Sequence, residues 1–280
     1  MPEHRVRGYH TSHREPLRFH NDNGIVTSYP EGDEVYLGVE LELNFNTGDQ
    51  DIIDGIFEQA QEMLSLETDS SLHSGGAEMV CNPMTYKFAV NFWKRFFKNV
   101  PSSFSRIGCW ESGECAMHVH MSKSALRNIE LRRVLIFLND PNNKEFIAHV
   151  AQRPPQYYCR QKTIRNTRSR QLLQGDPHDG HYEILNLRNQ NTMEFRMFRG
   201  SFRLSRVLKN LEFVMALATF ARQWRKGYTG LSASAFCQFI TKPKRAKNYP
   251  NLVKFILPFM ANNNMVVSTD EEERSLPCAS

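Results

Sequence analysis

Seven residues of this 280-residue chain have types and spacings that could do chemistry: Glu40 and Glu42, Glu78, His118 and His120, and Glu194 with Arg196. Each lies in a short run where apolar residues fill the alternate positions, as Val39, Leu41 and Leu43 do around the first pair. Successive side chains of a strand leave opposite faces, so residues two apart share a face about 7 Å from one another. Four carboxylates and two imidazoles on one surface repel one another unless cations sit between them. Hard oxygen donors with one or two histidines suit Mg2+ or Mn2+ better than a thiolate-preferring metal. Such a face fits phosphoryl chemistry, where ions bridge and neutralise nucleotide phosphates while an arginine covers the transferred group.

The elements that must position these residues are four strands. Val35–Phe45 alternates strictly, with Tyr36, Gly38, Glu40, Glu42 and Asn44 on one side. Ala77–Val80 follows a glycine pair, Gly75-Gly76, and Ala116–Met121 sets both histidines opposite Met117, Val119 and Met121. Thr192–Phe198 separates Glu194 and Arg196 from Met193, Phe195 and Met197. A merely solvated sheet face also alternates, but it mixes in Lys, Thr, Ser and Gln. Here the polar side is mostly Glu and His, and lysine is absent from all four strands.

Apolar residues at three-to-four spacing predict core-facing helices over Asp51–Leu64, Tyr86–Val100, Lys123–Asn139 and Ser205–Trp224. Strand-like and helix-like patterns therefore alternate in one α+β domain over residues 34–225. Residues 1–33, rich in Arg, His, Asn, Gly and Pro, read as an extended basic arm. Two apolar segments, Ala233–Ile240 and Leu252–Met260, make 226–267 a helical extension of the same domain. The polar end, 268–280, with its acidic run Asp270–Glu273, reads as a mobile tail.

Composition excludes several classes. With 40% hydrophobic and 23% charged residues the chain is neither disordered nor collagenous. A formal charge of +5 is far too sparse for a dedicated nucleic-acid coat. The six cysteines are scattered without zinc-type spacing, which favours reduced thiols and a cytoplasmic protein. The first residues lack an apolar signal core, and the longest near-continuous apolar run, Phe213–Ala221, falls short of the ~20 residues of a membrane span. Only Cys115 has a predicted base nearby, His118, so a Cys/His acyl-transfer site is the weaker use of these residues.

One further segment is unusual. Arg153, Arg160, Lys162, Arg165, Arg168 and Arg170 follow one another without an acidic residue, interleaved with Tyr157 and Tyr158. It reads as a phosphate-clamping segment, a groove for a polyanion such as nucleic acid, or a solvated connector. Arg160 and Arg165 are its candidate phosphate contacts. Arg199 lies on the Met197 side by alternation, and His181 and Asn186, ahead of the last strand, read as structural.

The order of the motifs carries a resemblance. Gly38-Val39-Glu40-Leu41-Glu42 is followed by Asp69-x-Ser71 and Gly76-x-Glu78-x-Val80-x-x-Pro83, then by Cys115-x-x-His118-Val119-His120-Met121-Ser122, and finally by Asn191-Thr192-x-Glu194-Phe195-Arg196. Across residues 34–201 this resembles the amidoligase family, carboxylate-amine ligases related to glutamine synthetase and glutamate–cysteine ligase. Met117–Ser122 is similar to the histidine-bearing strand of glutamine synthetases. Two departures stand out: only 33 irregular residues precede the first strand, where glutamine synthetases carry a whole domain, and Ala116 replaces the family's glycine after the motif cysteine.

The resemblance implies a curved, mainly antiparallel sheet whose concave face binds ATP with Mg2+ or Mn2+. It implies Glu40, Glu42, Glu78, His118 and Glu194 as metal ligands, with His118 also near phosphate, Arg196 steadying the transferred phosphate and His120 beside the ligands. Asp69 and Ser71 would shape a turn. The implied activity is that of an ATP-dependent carbon–nitrogen ligase acting through an acyl phosphate. Its carboxylate and amine partners, whether amino acid, peptide or modified polymer, are not specified by these motifs. The residues alone leave open a phosphotransferase acting on a carboxylate or guanidine, and a nucleic-acid or protein-binding module with a vestigial site.

Overall fold

The computed structural model describes residues 4–8, 18–26, 34–69, 72, 75–109, 115–153, 159–161 and 183–267. Among them ten strands form one mixed, mostly antiparallel sheet with helices packed against it. The strands are β1 (Val6–Arg7), β2 (Phe19–Asn21), β3 (Gly24–Val26), β4 (Tyr36–Leu43), β5 (Leu64–Glu67), β6 (Ala77–Cys81), β7 (Met84–Thr85), β8 (Ala116–Ser122), β9 (Leu185–Asn186) and β10 (Thr192–Arg199). The eight helices described are α1 (Gln50–Ala60), α2 (Tyr86–Phe96), α3 (Asn128–Asn139), α4 (Lys144–Ala151), α5 (Leu204–Gln223), α6 (Ala233–Thr241), α7 (Pro243–Ala246) and α8 (Pro250–Asn262).

The centre of the sheet runs β9–β10–β8–β4–β6–β5–β1, and every pairing in it is antiparallel except β1 with β5. β7 continues β6 along the same flank of β4 and pairs in parallel with β2. Leu37, Val39, Leu41, Leu66, Met79, Met117, Val119, Met193 and Phe195 turn one way into the core. Helices α2, α4 and α5 pack on the strands, and α3 and α8 pack on α5. Two aromatic groups fill this layer: Phe92, Trp93, Phe96, Phe97, Phe104 and Phe202 meet edge to face or stacked, as do Phe137, Phe146, Phe213, Phe220 and Phe236. No described helix is long and apolar enough to cross a membrane.

Several local readings change. The helix expected to run to Leu64 ends at Ala60, because Gln61 and Glu62 both turn left-handed at φ 50° and 63°. The chain then enters β5, which begins at Leu64, the last residue of the expected helix, and runs on to Glu67, where no strand was expected. Lys123–Ala125 is a 3-10 turn, and the helix proper starts at Asn128. The predicted Tyr86–Val100 helix stops at Phe96. Within 1–33, the described residues contribute β1, β2 and β3, pieces too short to show periodicity. The tail 268–280, like Arg165 and His181, lies outside the described residues.

Candidate functional site

Register brings the seven residues together. Glu40 pairs with His118 across β4 and β8, and Glu42 pairs with Glu78 across β4 and β6. His120 stands between Gly38 on β4 and Glu194 on β10. A Cβ on Gly38 would lie 3.5 Å from that of His120, so this position is small where the imidazole needs room.

The side chains interlock. His118 Nδ1 lies 3.5 Å from Glu40 Oε2 and 3.5 Å from Glu194 Oε1, and His120 Nε2 lies 3.2 Å from Glu40 Oε1. Glu194 Oε1 accepts from Arg196 Nη1, and its Oε2 accepts from Asn186 Nδ2 at 2.7 Å. Asn186 is itself set by its Oδ1, which accepts the Arg188 amide at 2.9 Å. Lys123 ties down the hairpin between β9 and β10 by donating to the Leu187 and Asn189 carbonyls at 2.7 and 2.5 Å. Glu42 Oε2 accepts the Ala116 amide at 2.5 Å.

Charge is unevenly satisfied. Burial pushes the Glu40 carboxyl up, but the charge of His120 and hydrogen bonds from His118 and His120 outweigh it and hold it well below the usual range. Glu194, also desolvated, is held down by His118, His120 and Arg196. Burial opposes the His120 cation, yet Glu40 raises its affinity for a proton above the ordinary value. On the other side, burial raises Glu42, and burial with the charges of Glu40, Glu42, Asp69 and Glu67 pushes Glu78 up to about 9. Negative charge near Glu78 therefore exceeds what the described cations neutralise.

Two groups of donors converge closely enough to hold an ion: Glu40, His118 and Glu194, and Glu42, Glu78 and His118, with ligand atoms inside each group within 4.8 Å of one another. Their chemistry, carboxylate oxygens and one imidazole, fits Mg2+ or Mn2+. Glu78, pushed up by burial and its acidic neighbours, belongs to the second of these groups.

Some residues fall elsewhere than expected. Arg160 is exposed, with its backbone bridged to Glu183. Arg153 is close enough to act electrostatically on Glu42. A bulge between Phe195 and Phe198 turns Phe198 toward the core and sets Arg199 opposite Ala116, on the side of His118 rather than that of Met197. Asn186, read as structural, holds Glu194 directly. Glu67 was not foreseen: it is buried opposite Glu78 on β5, a strand that was not expected.

No protein-family model matches the chain, and no curated protein matches it by sequence. Eleven solved chains match by structure. One belongs to the crystal structure of the complex between the prokaryotic ubiquitin-like protein Pup and its ligase PafA, at 10% identity and a TM-score of 0.36. That match covers 78% of this chain and 57% of the other, so the chain spans little more than half of that neighbour's length.

Proposed function

We propose that this chain is an ATP-dependent carboxylate-amine ligase whose catalytic face is the glutamine synthetase-like sheet surface built on β4, β6, β8 and β10. The observation that carries the reading is the pair of donor groups centred on His118, side by side on one face. Glu40, His118 and Glu194 would hold one divalent ion, and Glu42 with Glu78 the other. Bound there, Mg2+ or Mn2+ supplies the positive charge that neutralises the ATP phosphates.

The chain's own groups do the positioning. Asn186 and Arg196 fix the two oxygens of Glu194, and the Ala116 amide fixes one oxygen of Glu42, so both carboxylates are held in defined orientations. His120 steadies Glu40. Arg196, already aligned by Glu194, offers its remaining donors to the transferred phosphoryl group. In the proposed reaction a substrate carboxylate attacks the γ-phosphate, giving an acyl phosphate and ADP. An amine then attacks the acyl carbon, and inorganic phosphate leaves as the amide forms.

Calorimetric titration with a non-hydrolysable ATP analogue tests this, with and without Mg2+ and with Glu194→Gln as the control. Metal-dependent binding that the variant loses is the expected result. Wild-type binding in Glu194→Gln, or none in the wild type, overturns it. Product analysis then separates ligase from phosphotransferase, because only the ligase releases free phosphate.

A further inference from the structure

Positive charge is concentrated late in the chain. Between Glu212 and Asp270 the sequence has no acidic residue and eight lysines and arginines, more than the formal charge of +5 of the whole chain, so the remainder is net acidic. A local charge of that density attracts anions even where the chain average does not. Neither the donor groups nor Arg196 draw on it.

The fold gathers the cations of 222–247 from three helices. Arg245 Nη2 donates to Gln223 Oε1 at 2.7 Å, and its guanidinium lies 3.9 Å from the centroid of the Phe239 ring. Phe239 meets Phe220 at 5.3 Å and Phe220 meets Trp224 at 5.0 Å, which sets α7 beside the end of α5. From the other side α3 reaches in: Arg133 donates to the Ala221 and Gly227 carbonyls at 2.9 and 3.1 Å, and the Arg132 guanidinium lies 4.5 Å from the Tyr228 centroid. Residues 224–228 are thereby held between α3 and α7. Arg225, Lys226 and Lys247 are exposed, and no carboxylate pairs with them among the described residues. Glu130, the acidic residue of α3, is buried and held by Arg127 at 2.9 and 2.6 Å.

The chemistry of this surface selects among polyanions. A surface that adsorbs to a bilayer presents apolar side chains to insert, and none of the exposed large apolar residues described lies in 222–247. An acidic peptide would use the charges alone. Here three half-buried rings, Trp224, Tyr228 and Phe239, stand among the cations, with Lys226, Arg132 and Arg245 respectively over them. Rings and guanidinium planes interleaved with phosphate-binding cations suit unstacked bases, since every base has a π-face. A duplex hides those faces and offers its phosphates only.

We propose that this surface binds a single-stranded nucleic acid, its phosphates on Arg225, Lys226 and Lys247 and its bases against Trp224 and Tyr228. It is built on other elements than the donor groups, so the proposal stands or falls independently of the ligase reading.

Fluorescence anisotropy of a labelled oligothymidylate of about 12 nucleotides, titrated with the full chain at rising NaCl, tests it. Each phosphate neutralised on a single strand contributes about −0.7 to the slope of log affinity against log salt. The wild type is expected to show a slope of about −2 or steeper. Arg225→Gln, Lys226→Gln and Lys247→Gln combined should flatten it by about 2 and weaken binding at low salt at least about tenfold. Binding should also quench tryptophan fluorescence, and Trp224→Phe should abolish the quenching. No binding, wild-type affinity and slope in the triple variant, or quenching that persists in Trp224→Phe overturns the assignment. Tighter binding of a duplex, of labelled oligoglutamate or of phosphatidylserine vesicles overturns it in favour of that partner. If the triple variant melts far below the wild type, Arg225→Gln alone is read by a slope flatter by about 0.7.

Discussion

Glu42 and Glu78 face each other directly across the antiparallel β4–β6 pair, and both are buried. Like charges in that position destabilise a sheet. The metal-free protein relieves the conflict with a proton, since Glu78 is pushed up to about 9 by burial and by Glu40, Glu42, Asp69 and Glu67. A divalent ion, bound as proposed, would relieve it better by taking the proton's place.

Glu78→Gln should therefore be harmless without metal and costly with it. A neutral amide replaces a carboxyl already protonated at pH 7, so stability in EDTA should change by less than ~1 kcal/mol. Mg2+ at a hundredfold excess over its dissociation constant should stabilise the wild type by ~2.7 kcal/mol. The variant should gain less than half of that in urea melts. A full metal response in Glu78→Gln would remove this residue from the ligand set.

The same exchange sets a pH dependence. Glu78 has an unfolded value near 4.5 and a folded one of about 9, so between them the folded state holds a proton that the unfolded chain has released. The Glu78 contribution to metal-free stability must fall as pH rises through that window. His120, raised in the fold, acts in the same direction: its contribution is complete below 6.5 and is lost as pH passes its folded value. Glu40 and Glu194, lowered in the fold, contribute above their unfolded values and lose that contribution only as acid reaches their folded ones. Melting temperature in EDTA should decline from pH 5.5 to 7, above which Lys209, lowered by burial to about 7, adds stability with rising pH and opposes the trend, and Glu78→Gln should flatten the decline. At pH 7.5 Mg2+ binding should release a proton in the wild type, measurable by calorimetry in buffers of different ionisation enthalpy.

Arg196 and Glu194 form an ion pair with side chains only 12% and 4% exposed. Arg196→Met leaves a buried carboxylate with Asn186 as its direct donor, and such half-pairs cost ~3 kcal/mol or more. Denaturant melts should show that loss, whereas Arg196→Met combined with Glu194→Leu should recover much of it. Full stability in the single variant would mean that the pair is not formed.

Gly76 positions Glu78 through its backbone. It sits at φ 124°, and a Cβ there would lie 2.1 Å from the Leu43 carbonyl oxygen. Gly76→Ala must push β6 away from β4, so a loss above ~2 kcal/mol is expected, together with weaker metal binding. An alanine variant of wild-type stability and metal response would contradict this geometry.

What the sequence made legible was faces, and what it concealed was pairing. Strict alternation in Val35–Phe45 and in Ala116–Met121 assigns Glu40, Glu42, His118 and His120 to one side, because a period of two leaves no other choice. Alternation does not say that Glu42 meets Glu78, since strand order depends on contacts between distant segments. Glu67 was missed because β5 is only four residues long, too short for its alternation to stand out, and the helix before it stops without glycine or proline, at Gln61 and Glu62 in left-handed angles that their residue types do not advertise. Arg199 was set on the other face because a bulge changes the count within β10, and nothing in Met193–Phe198 marks where an extra residue enters. Asn186 sits on a two-residue strand, too short for any pattern to announce its hold on Glu194.

The most direct test of the central claim is the number of divalent ions the face holds. Mn2+ titration of the full chain, followed by electron paramagnetic resonance in the presence of the ATP analogue, should show two ions per chain, corresponding to the two donor groups. Glu42→Gln should reduce the count to one. His118→Ala, at the residue common to both groups, should weaken both positions. An Mn2+ spectrum that stays that of the free ion, with or without nucleotide, would contradict the metal-centred account of this face.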